Sequence, residues 1–566
     1  MEVTSLYHQP KNHYAYPLTT ETVHLRFQSK KGDVETVLIH AKDPFTWEEG
    51  GWVSVPISMT KIGSDEWLDY WQADVSPPFR RLEYHFEVKG YEKSVYFTEG
   101  GVFLEEHHMR DPFKFPFINE ADVFTPPRWV KNTVWYQIFP ERFYNGNPDL
   151  SPDGVVPWDS EPTPDHFMGG DLEGVIQKLD YLKELGITGL YFCPIFEAAS
   201  NHKYDTTDYK KIDPHFGDTE TLRTLVQEAH KRGMRIMLDA VFNHSGYYFP
   251  PFQDVLKNGK ASLYYDWFYI QDESVVTDPP NYDTFAFTGM MPKLRTSNPE
   301  VRDYLLEVAR YWIETCDIDG WRLDVANEVD HAFWRDFRRV VKGAKPDAYI
   351  LGEIWHNSMP WLRGDQFDAV MNYPFTNLVL DLAGSATDGE SFIQRLHKLR
   401  FSYPDPVHAV SFNMLGSHDT ERVLTRLHHD KRRVKLAYFL LLTYTGSPCV
   451  YYGDEIGMHG YNDPGCRKGM IWAEEKQDRE MRDWMTALIR FRAYNGPLYG
   501  QGERIYENGG LLYIEGSKTI IINPTDHHRV VASPEKRTKN VFGEVHYDGI
   551  SFHIPPFGFV VLEEEK

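Results

Sequence analysis

The sequence predicts a multidomain α/β protein: a (β/α)8 TIM barrel with a subdomain inserted after strand 3, an N-terminal β-sandwich and a C-terminal antiparallel β domain. Three features carry that prediction. At 566 residues the chain is longer than one hydrophobic core usually supports. Its pattern changes twice, from short strands (1–123) to alternating strands and helices (124–495) and back to strands (496–566). The middle stretch also repeats a strand-then-helix unit about eight times, although an open doubly wound sheet repeats in the same way.

Taken in order, "LEYHFEV" at 82–88 alternates Leu82, Tyr84, Phe86 and Val88 with polar residues, the period of a half-buried strand. This first region carries early aromatics, among them Tyr14, Tyr16, Trp47 and Trp52, but no acid/base set. A separate starch-binding module is one reading of it. Pro126 and Pro127 stiffen the boundary that follows. Leu172, Val175, Ile176, Leu179, Leu182 and Leu185 then mark one face of a helix stopped by Gly186. A second helix, around Leu222, Leu225, Val226 and Ala229, ends at Gly233. Strands are expected near residues 134, 188, 235, 319, 348, 368, 410 and 448. Residues 245–295 are too long and too aromatic for a simple loop, so they form the inserted subdomain. Finally, "LLYIEGSKTIIINPT" at 511–525 holds two β-rich runs around a Gly-Ser turn.

Composition narrows the function. With 60 Lys plus Arg against 83 Asp plus Glu, the formal charge of -23 repels phosphate backbones and anionic bilayers, which argues against nucleic acid and membrane partners. The apolar run "LAYFLLLTY" at 436–444 is about half the ~20 residues a bilayer span needs, and reads as a buried helix. Cys193, Cys316, Cys449 and Cys466 lack paired spacing, which fits a reducing, cytoplasmic setting. No basic start and apolar core open the chain, so the mature protein is expected to begin at residue 1.

Polar residues cluster where strands end. In "DAVFNH" (239–244), "GWRLDVANE" (320–328), "ILGEIWH" (350–356) and "LGSHDTER" (415–422), apolar runs lead into carboxylate, Arg, His or Asn. A barrel gathers such ends around one mouth, which would unite Asp324, Glu353 and Asp419 with His244, Arg322 and His418. Paired acids in different environments suit glycosidic chemistry, where one protonates the leaving oxygen and the other meets the oxocarbenium-like centre. Each piece also has a plainer reading: Arg322 and Asp324 as a buried structural pair, "SHDT" as a helix N-cap, His244 as part of a turn. Trp355 reads equally as a sugar platform in the acceptor region or as packing. In the first βα loop, Asn145, Asn147, Asp149 and Ser151, with the Gly169 carbonyl and Asp171, form an oxygen donor set suited to Ca2+, though Asx-rich turns usually bind nothing.

These four motifs, in this order, resemble the signature regions of glycoside hydrolase family 13, the α-amylase family. The likeness extends from "WYQIFPERF" (135–143) to "YYGDEIGM" (451–458) and includes "SNHKYDTTDY" and "MPKLRT". The "VANE" tail, "NDPGCRKGMIW" (462–472) and the β-rich extension resemble the neopullulanase, cyclomaltodextrinase and maltogenic amylase subgroup. The resemblance implies a retaining hydrolase of cyclodextrins, pullulan and starch oligosaccharides. Asp324 is then the nucleophile, Glu353 the acid/base and Asp419 the transition-state stabiliser. It further implies that His244 and His418 bind sugar hydroxyls, that Tyr204 stacks beneath the ring, and that Arg322 aims Asp324. Asn327 and Glu328 would line the leaving-group side, and Asp463 and Arg467 the non-reducing side. Relatives also place calcium in the first loop and use the N-terminal extension to form a homodimer. A glucan transferase would use the same three acids; a silent glucan-binding relative would have lost one.

Overall fold

The computed structural model describes residues 1–46, 56–500, 502–534 and 538–564, so Trp47 and Trp52 lie outside the described residues. Its centre is a parallel sheet of eight strands: β1 (Trp135–Ile138), β2 (Gly189–Phe192), β3 (Arg235–Ala240), β4 (Gly320–Leu323), β5 (Tyr349–Gly352), β6 (Ala369–Val370), β7 (Phe412–Asn413) and β8 (Ser447–Tyr451). Their spatial order is 6-5-4-3-2-1-8-7. A parallel bridge between Met371 and Phe412, with the Asn372 amide donating to the Phe412 carbonyl at 2.8 Å, joins the two ends. The barrel is therefore closed, not doubly wound, and every strand starts within a few residues of its expected place.

Two apolar layers follow from the two-residue period of these strands. Trp135, Tyr191, Met237, Tyr349, Leu351 and Phe412 fill the barrel interior, while Tyr136, Leu190, Leu238, Trp321 and Leu323 pack outward under the helices. Helix Leu172–Leu185 ends at Gly186, whose φ of +98° would strain any side-chain-bearing residue. Helix Thr219–Lys231 starts on a capping box at Asp218. Helix Lys431–Thr443 is the buried apolar run, and among the described residues no helix is long and apolar enough to cross a membrane. All four cysteines are free and buried.

The N-terminal strands form a four-stranded and a six-stranded antiparallel sheet around a core that includes Val23, Phe27, Val37, Tyr84 and Phe86. The C-terminal strands form five- and three-stranded sheets, with Leu511–Glu515 pairing antiparallel to Thr519–Ile522 across the expected turn. Between β3 and β4, helix Pro250–Asn258 and a set of short bridges pack Phe252, Trp267 and Tyr282 against the barrel.

The N-terminal sandwich docks on the barrel's flank. Buried Arg26 reaches the Tyr403 carbonyl at 2.7 Å and the Asp405 carboxylate at 2.6 Å, and Tyr70 stacks on Phe401. Tyr14 packs in that same cluster, and Tyr16 accepts from the Asp405 amide through its hydroxyl at 3.1 Å. These two aromatics thus hold the sandwich to the barrel and offer no free face to a starch chain.

Candidate active site

The C-terminal ends of the strands meet in a cavity of about 400 Å³. Its floor is built by alternation: the residue after outward Trp321 points inward, and that residue is Arg322, fully buried. Strand register places Asp239 of β3 directly beside it. The guanidinium Nη1 donates to both Asp239 oxygens at 3.0 Å and to Asp324 Oδ1 at 2.6 Å, while Nη2 lies 2.8 Å from Glu353 Oε1. That last approach is an ion pair too oblique to be a hydrogen bond, for Nη2 has no hydrogen-bond partner.

Three carboxylates thus share one guanidinium. Burial raises the pKa of Asp239 to about 6 and lifts Asp324 well above the carboxylate range, with Arg322 pulling both back and Glu353 pushing both up. Asp239 and Asp324 share one guanidinium in a buried site, so burial favours the protonated form of each over its charged form. Glu353 is further held by the Val325 amide, donating at 3.0 Å, and by the indole N–H of Trp355 at 3.3 Å. Val325 adopts φ +45° and ψ +41°, a left-handed conformation that a β-branched residue enters only under strain.

The opposite wall is aromatic and imidazole. Tyr204 lies parallel to the His418 ring at 5.3 Å, with its hydroxyl 2.6 Å from His418 Nε2 and 3.0 Å from Asp239 Oδ2. Burial, then the charges of Arg467 and Arg322, keep His418 neutral. His244, held near a pKa of about 3 by burial, donates from Nε2 to the Tyr204 carbonyl at 3.1 Å. Asp419 is the most open of the three predicted acids, with a third of its side chain exposed. Arg467 ties it in place at 3.3 Å while also gripping Asp463 at 2.9 Å and the His418 carbonyl at 2.8 Å.

Of the residues expected at the mouth, Tyr204, His244, Asp324, Asn327, Glu353, Trp355, His418, Asp419, Asp463 and Arg467 line the cavity, and Arg322 lies beneath it. Glu328 is not among the lining residues; its carboxylate turns to Lys293 at 3.1 Å. Trp355 is half exposed and stacks on Tyr373 with ring centroids 3.5 Å apart, so it is both packed and available. "SHDT" is no helix cap: the following short helix begins at Val423 with Arg422 at its N-cap and no side-chain cap. Sequence reasoning missed Asp239, His202, Phe285 and Tyr373. Asp239 opens the "DAVFNH" motif, but only strand pairing reveals that it faces Arg322.

In the first βα loop, the proposed metal ligands divide. Asp171 is the N-cap of helix Leu172–Leu185, its carboxylate accepting from the amides of Gly174, Gly146 and Asn147 at 2.6–3.0 Å. Asn147 accepts from the Asp149 amide, and Asp149 itself points outward. By contrast Asn145 Oδ1 is buried without a donor, while its Nδ2 donates to Ser151 Oγ at 2.9 Å, and Nδ2 and Oγ crowd Gly169 so closely that a Cβ there would collide with them. An orphaned carbonyl oxygen beside a hydroxyl and a glycine fits a hard cation. Asn145, Ser151 and the Gly169 carbonyl are the residues that would hold it.

Comparison with known proteins agrees with this geometry. Residues 137–493 match the α-amylase catalytic domain and residues 1–119 the α-amylase N-terminal Ig-like domain. The chain is 52% identical to a cyclomaltodextrinase of Geobacillus thermopakistaniensis over 100% of both proteins. It is 51% identical to an intracellular maltogenic amylase of Bacillus subtilis, covering 89% of this chain and 86% of that one. A solved cyclomaltodextrinase structure aligns over 100% of both chains with a TM-score of 0.92 at 45% identity. The chain belongs to the α-amylase family, glycoside hydrolase family 13. Within that family it falls in the cyclomaltodextrinase, maltogenic amylase and neopullulanase subgroup, and it is a glycoside hydrolase of that type.

Proposed function

We propose that the protein cleaves α-1,4, and also α-1,6, glucosidic bonds of cyclodextrins, pullulan and starch oligosaccharides with retention of configuration. Asp324 attacks the anomeric carbon to form a glycosyl ester while Glu353 protonates the departing oxygen; Glu353 then takes a proton from the water that releases the sugar. Asp419 faces the developing positive charge, and Tyr204 lies under the ring. One observation carries this reading: a single guanidinium spans Asp324 and Glu353. That arrangement suits the ~5–5.5 Å separation of a retaining pair better than the wider gap an inverting enzyme needs for water. Incubating the pure enzyme with β-cyclodextrin, pullulan and starch, and resolving products by chromatography and their anomers by NMR, tests it. Initial β-anomeric product, or no cleavage of any α-glucan, would overturn the reading.

The exposed face of Trp355 offers a sugar acceptor a stacking surface beside Glu353, which favours some transglycosylation alongside hydrolysis. All three acids are present, which counts against a silent binding protein. We propose Ca2+ as a structural ion in the first loop, supplying charge that rigidifies it and taking no part in bond cleavage. Cytoplasmic residence is supported by the four free buried cysteines and by the relative named as intracellular.

A homodimer through the N-terminal sandwich completes the proposal. Among the described residues, none of 1–123 lines the cavity of its own chain, so the sandwich can wall a mouth only as part of a second copy. Phe45, Phe79, Tyr91 and Leu104 leave apolar area on the sandwich surface. Deleting residues 1–123 should then give a folded monomer with less preference for cyclodextrin over starch, read by light scattering and rate ratios. A full-length monomer at micromolar concentration that still prefers cyclodextrin would overturn this role.

A further inference from the structure

One buried polar side chain on the barrel floor has no place in the mechanism above. Gln137 lies at the C-terminal half of β1, on the inward face set by Trp135, with about 1% of its surface exposed. Its register neighbours are Tyr191 of β2 and Tyr451 of β8. From there its Nε2 reaches His418 Nδ1 at 2.7 Å and the Cys193 sulfur at 3.5 Å.

An amide nitrogen only donates, so Nδ1 of His418 must accept, and a neutral imidazole then carries its single proton on Nε2. That nitrogen is 2.6 Å from the Tyr204 hydroxyl, to which it donates, and 3.2 Å from Asp419 Oδ2, so that its N–H rather than a lone pair lies near that carboxylate. Tyr204 has one proton too. Relieved of donating to His418, it gives that proton to Asp239 Oδ2 at 3.0 Å, which in turn accepts from Arg322. The opposite tautomer inverts everything: Nε2 would need the Tyr204 proton, Asp239 would lose a donor, and a lone pair would face the Asp419 carboxylate.

We propose that Gln137 is a positioning residue whose amide holds His418 in its Nε2–H tautomer, setting the direction of every hydrogen bond from β1 through His418 and Tyr204 to Asp239. This rests on the hydrolase reading only for its consequence in catalysis; the tautomer itself is a property of the free protein.

The direction of the chain makes the test specific. Gln137→Glu is nearly the same shape but offers an acceptor to Nδ1, forcing the opposite tautomer or an imidazolium. Gln137→Met fills similar space and leaves the ring free to choose. Turnover on β-cyclodextrin should fall about 10- to 100-fold in the Glu variant, by analogy with the partners that orient metal-bound histidines, and several-fold less in the Met variant. A packing role predicts the reverse order, because the Glu side chain fits better. Long-range ¹H–¹⁵N spectra of histidine-labelled protein, with the His418 signal assigned by its loss in His418→Gln, should show Nε2–H in the wild type. If Gln137→Glu fails to fold, the wild-type spectrum and the Met variant still decide. Nδ1–H in the wild type, or a Met variant as impaired as the Glu variant, would overturn the proposal and leave the hydrolase reading untouched. A wild type inactive on every α-glucan would do the opposite.

Discussion

Two ion clusters, each centred on a buried charge, sit at opposite ends of β4. At the C-terminal end, Arg322 alone faces Asp239, Asp324 and Glu353. Just before the N-terminal end, Asp319 alone faces His230 at 2.6 Å, Arg235 at 2.8 Å, Lys345 at 2.9 Å and the Ile236 amide at 2.9 Å. The residue types are the same and the ratio is inverted. Around Asp319, burial pushes the pKa up, but the His230 hydrogen bond, the Lys345 and His230 charges and the amide outweigh it, leaving the carboxyl far below its ordinary range. Its charge is saturated, and nothing remains to react. Around Arg322 three acids compete for one cation, and burial pushes Asp239 and Asp324 toward their protonated forms. Excess donors make a brace; excess acids make a reaction centre.

The largest expected effect separates the two clusters by function. Asp324→Ala, Glu353→Gln and Asp419→Asn should each cost several orders of magnitude in turnover, as removal of one member of a catalytic unit does elsewhere. Their melting temperatures should stay close to wild type, since the mouth gains from losing a buried charge. Asp319→Asn should do the reverse, lowering stability by removing the shared acceptor of His230, Arg235 and Lys345 while the folded fraction turns over normally. Rates and denaturant curves on the same four variants decide it. Near wild-type activity in Asp324→Ala would dissolve the distinction.

Much of this contrast was legible in the sequence, and the reason is periodicity. Apolar runs located all eight strands, and because polar residues gathered at the C-terminal end of each run, Asp324, Glu353 and Asp419 could be assigned to one mouth. What escaped was pairing across strands. Asp239 and Arg322 are 83 positions apart, and only hydrogen-bond register sets them side by side. Gln137 lies within "WYQIFPERF", where a lone amide among Trp135, Tyr136 and Ile138 is a polar group that must find a partner, but the sequence does not show which. Asp171 shows a second such limit: the sequence offers it as an oxygen donor, and only the structure shows its carboxylate capping helix Leu172–Leu185.

A second effect concerns pH. Asp239, raised to about 6 from an unfolded value near ~4, contributes stability that is full below pH ~4 and lost as pH rises through 6. Asp319, lowered, contributes stability present above pH ~4 and lost only as pH falls through its folded value. The two clusters therefore tilt the stability curve in opposite directions. Asp239→Asn should flatten the decline between pH 4 and 7 by on the order of 3 kcal/mol, whereas Asp319→Asn should remove the rise at the acid end. Urea titrations across that range would show both slopes. An unchanged slope for Asp239→Asn would mean its proton is held elsewhere in the cluster.

The first βα loop lies outside both clusters and sharpens the comparison by borrowing its charge. If an ion sits by Asn145 Oδ1, chelation should lower the melting temperature by a few degrees, in line with about 2.7 kcal/mol for a ligand at a hundredfold its Kd. Activity below that temperature should persist. Asn145→Ala should abolish the response to chelator. A melting curve indifferent to exhaustive chelation, with no calcium by elemental analysis, would remove the ion from the proposal.

The smallest expected effect tests whether the mouth stores strain that the brace does not. Val325 follows the nucleophile in a left-handed conformation that costs an L-residue roughly 1–2 kcal/mol, and its amide is what holds Glu353 Oε2 at 3.0 Å. Glycine adopts that conformation freely but gives up about 0.5–1 kcal/mol in chain entropy on folding. Val325→Gly should therefore leave stability within ~1 kcal/mol of wild type and on the stable side, an unusual outcome beside a reacting carboxylate. Turnover should nonetheless fall several-fold, because a freer backbone lets the Val325 amide drift from Glu353 and the acid lose its aim. Val325→Ala, which keeps the strain but trims the side chain, should retain more of the rate than glycine does. That ordering cannot come from lost packing, since glycine and alanine both remove the isopropyl group. Equal rates for the two variants would assign Val325 to the cavity wall and free the amide of any role in orienting the acid.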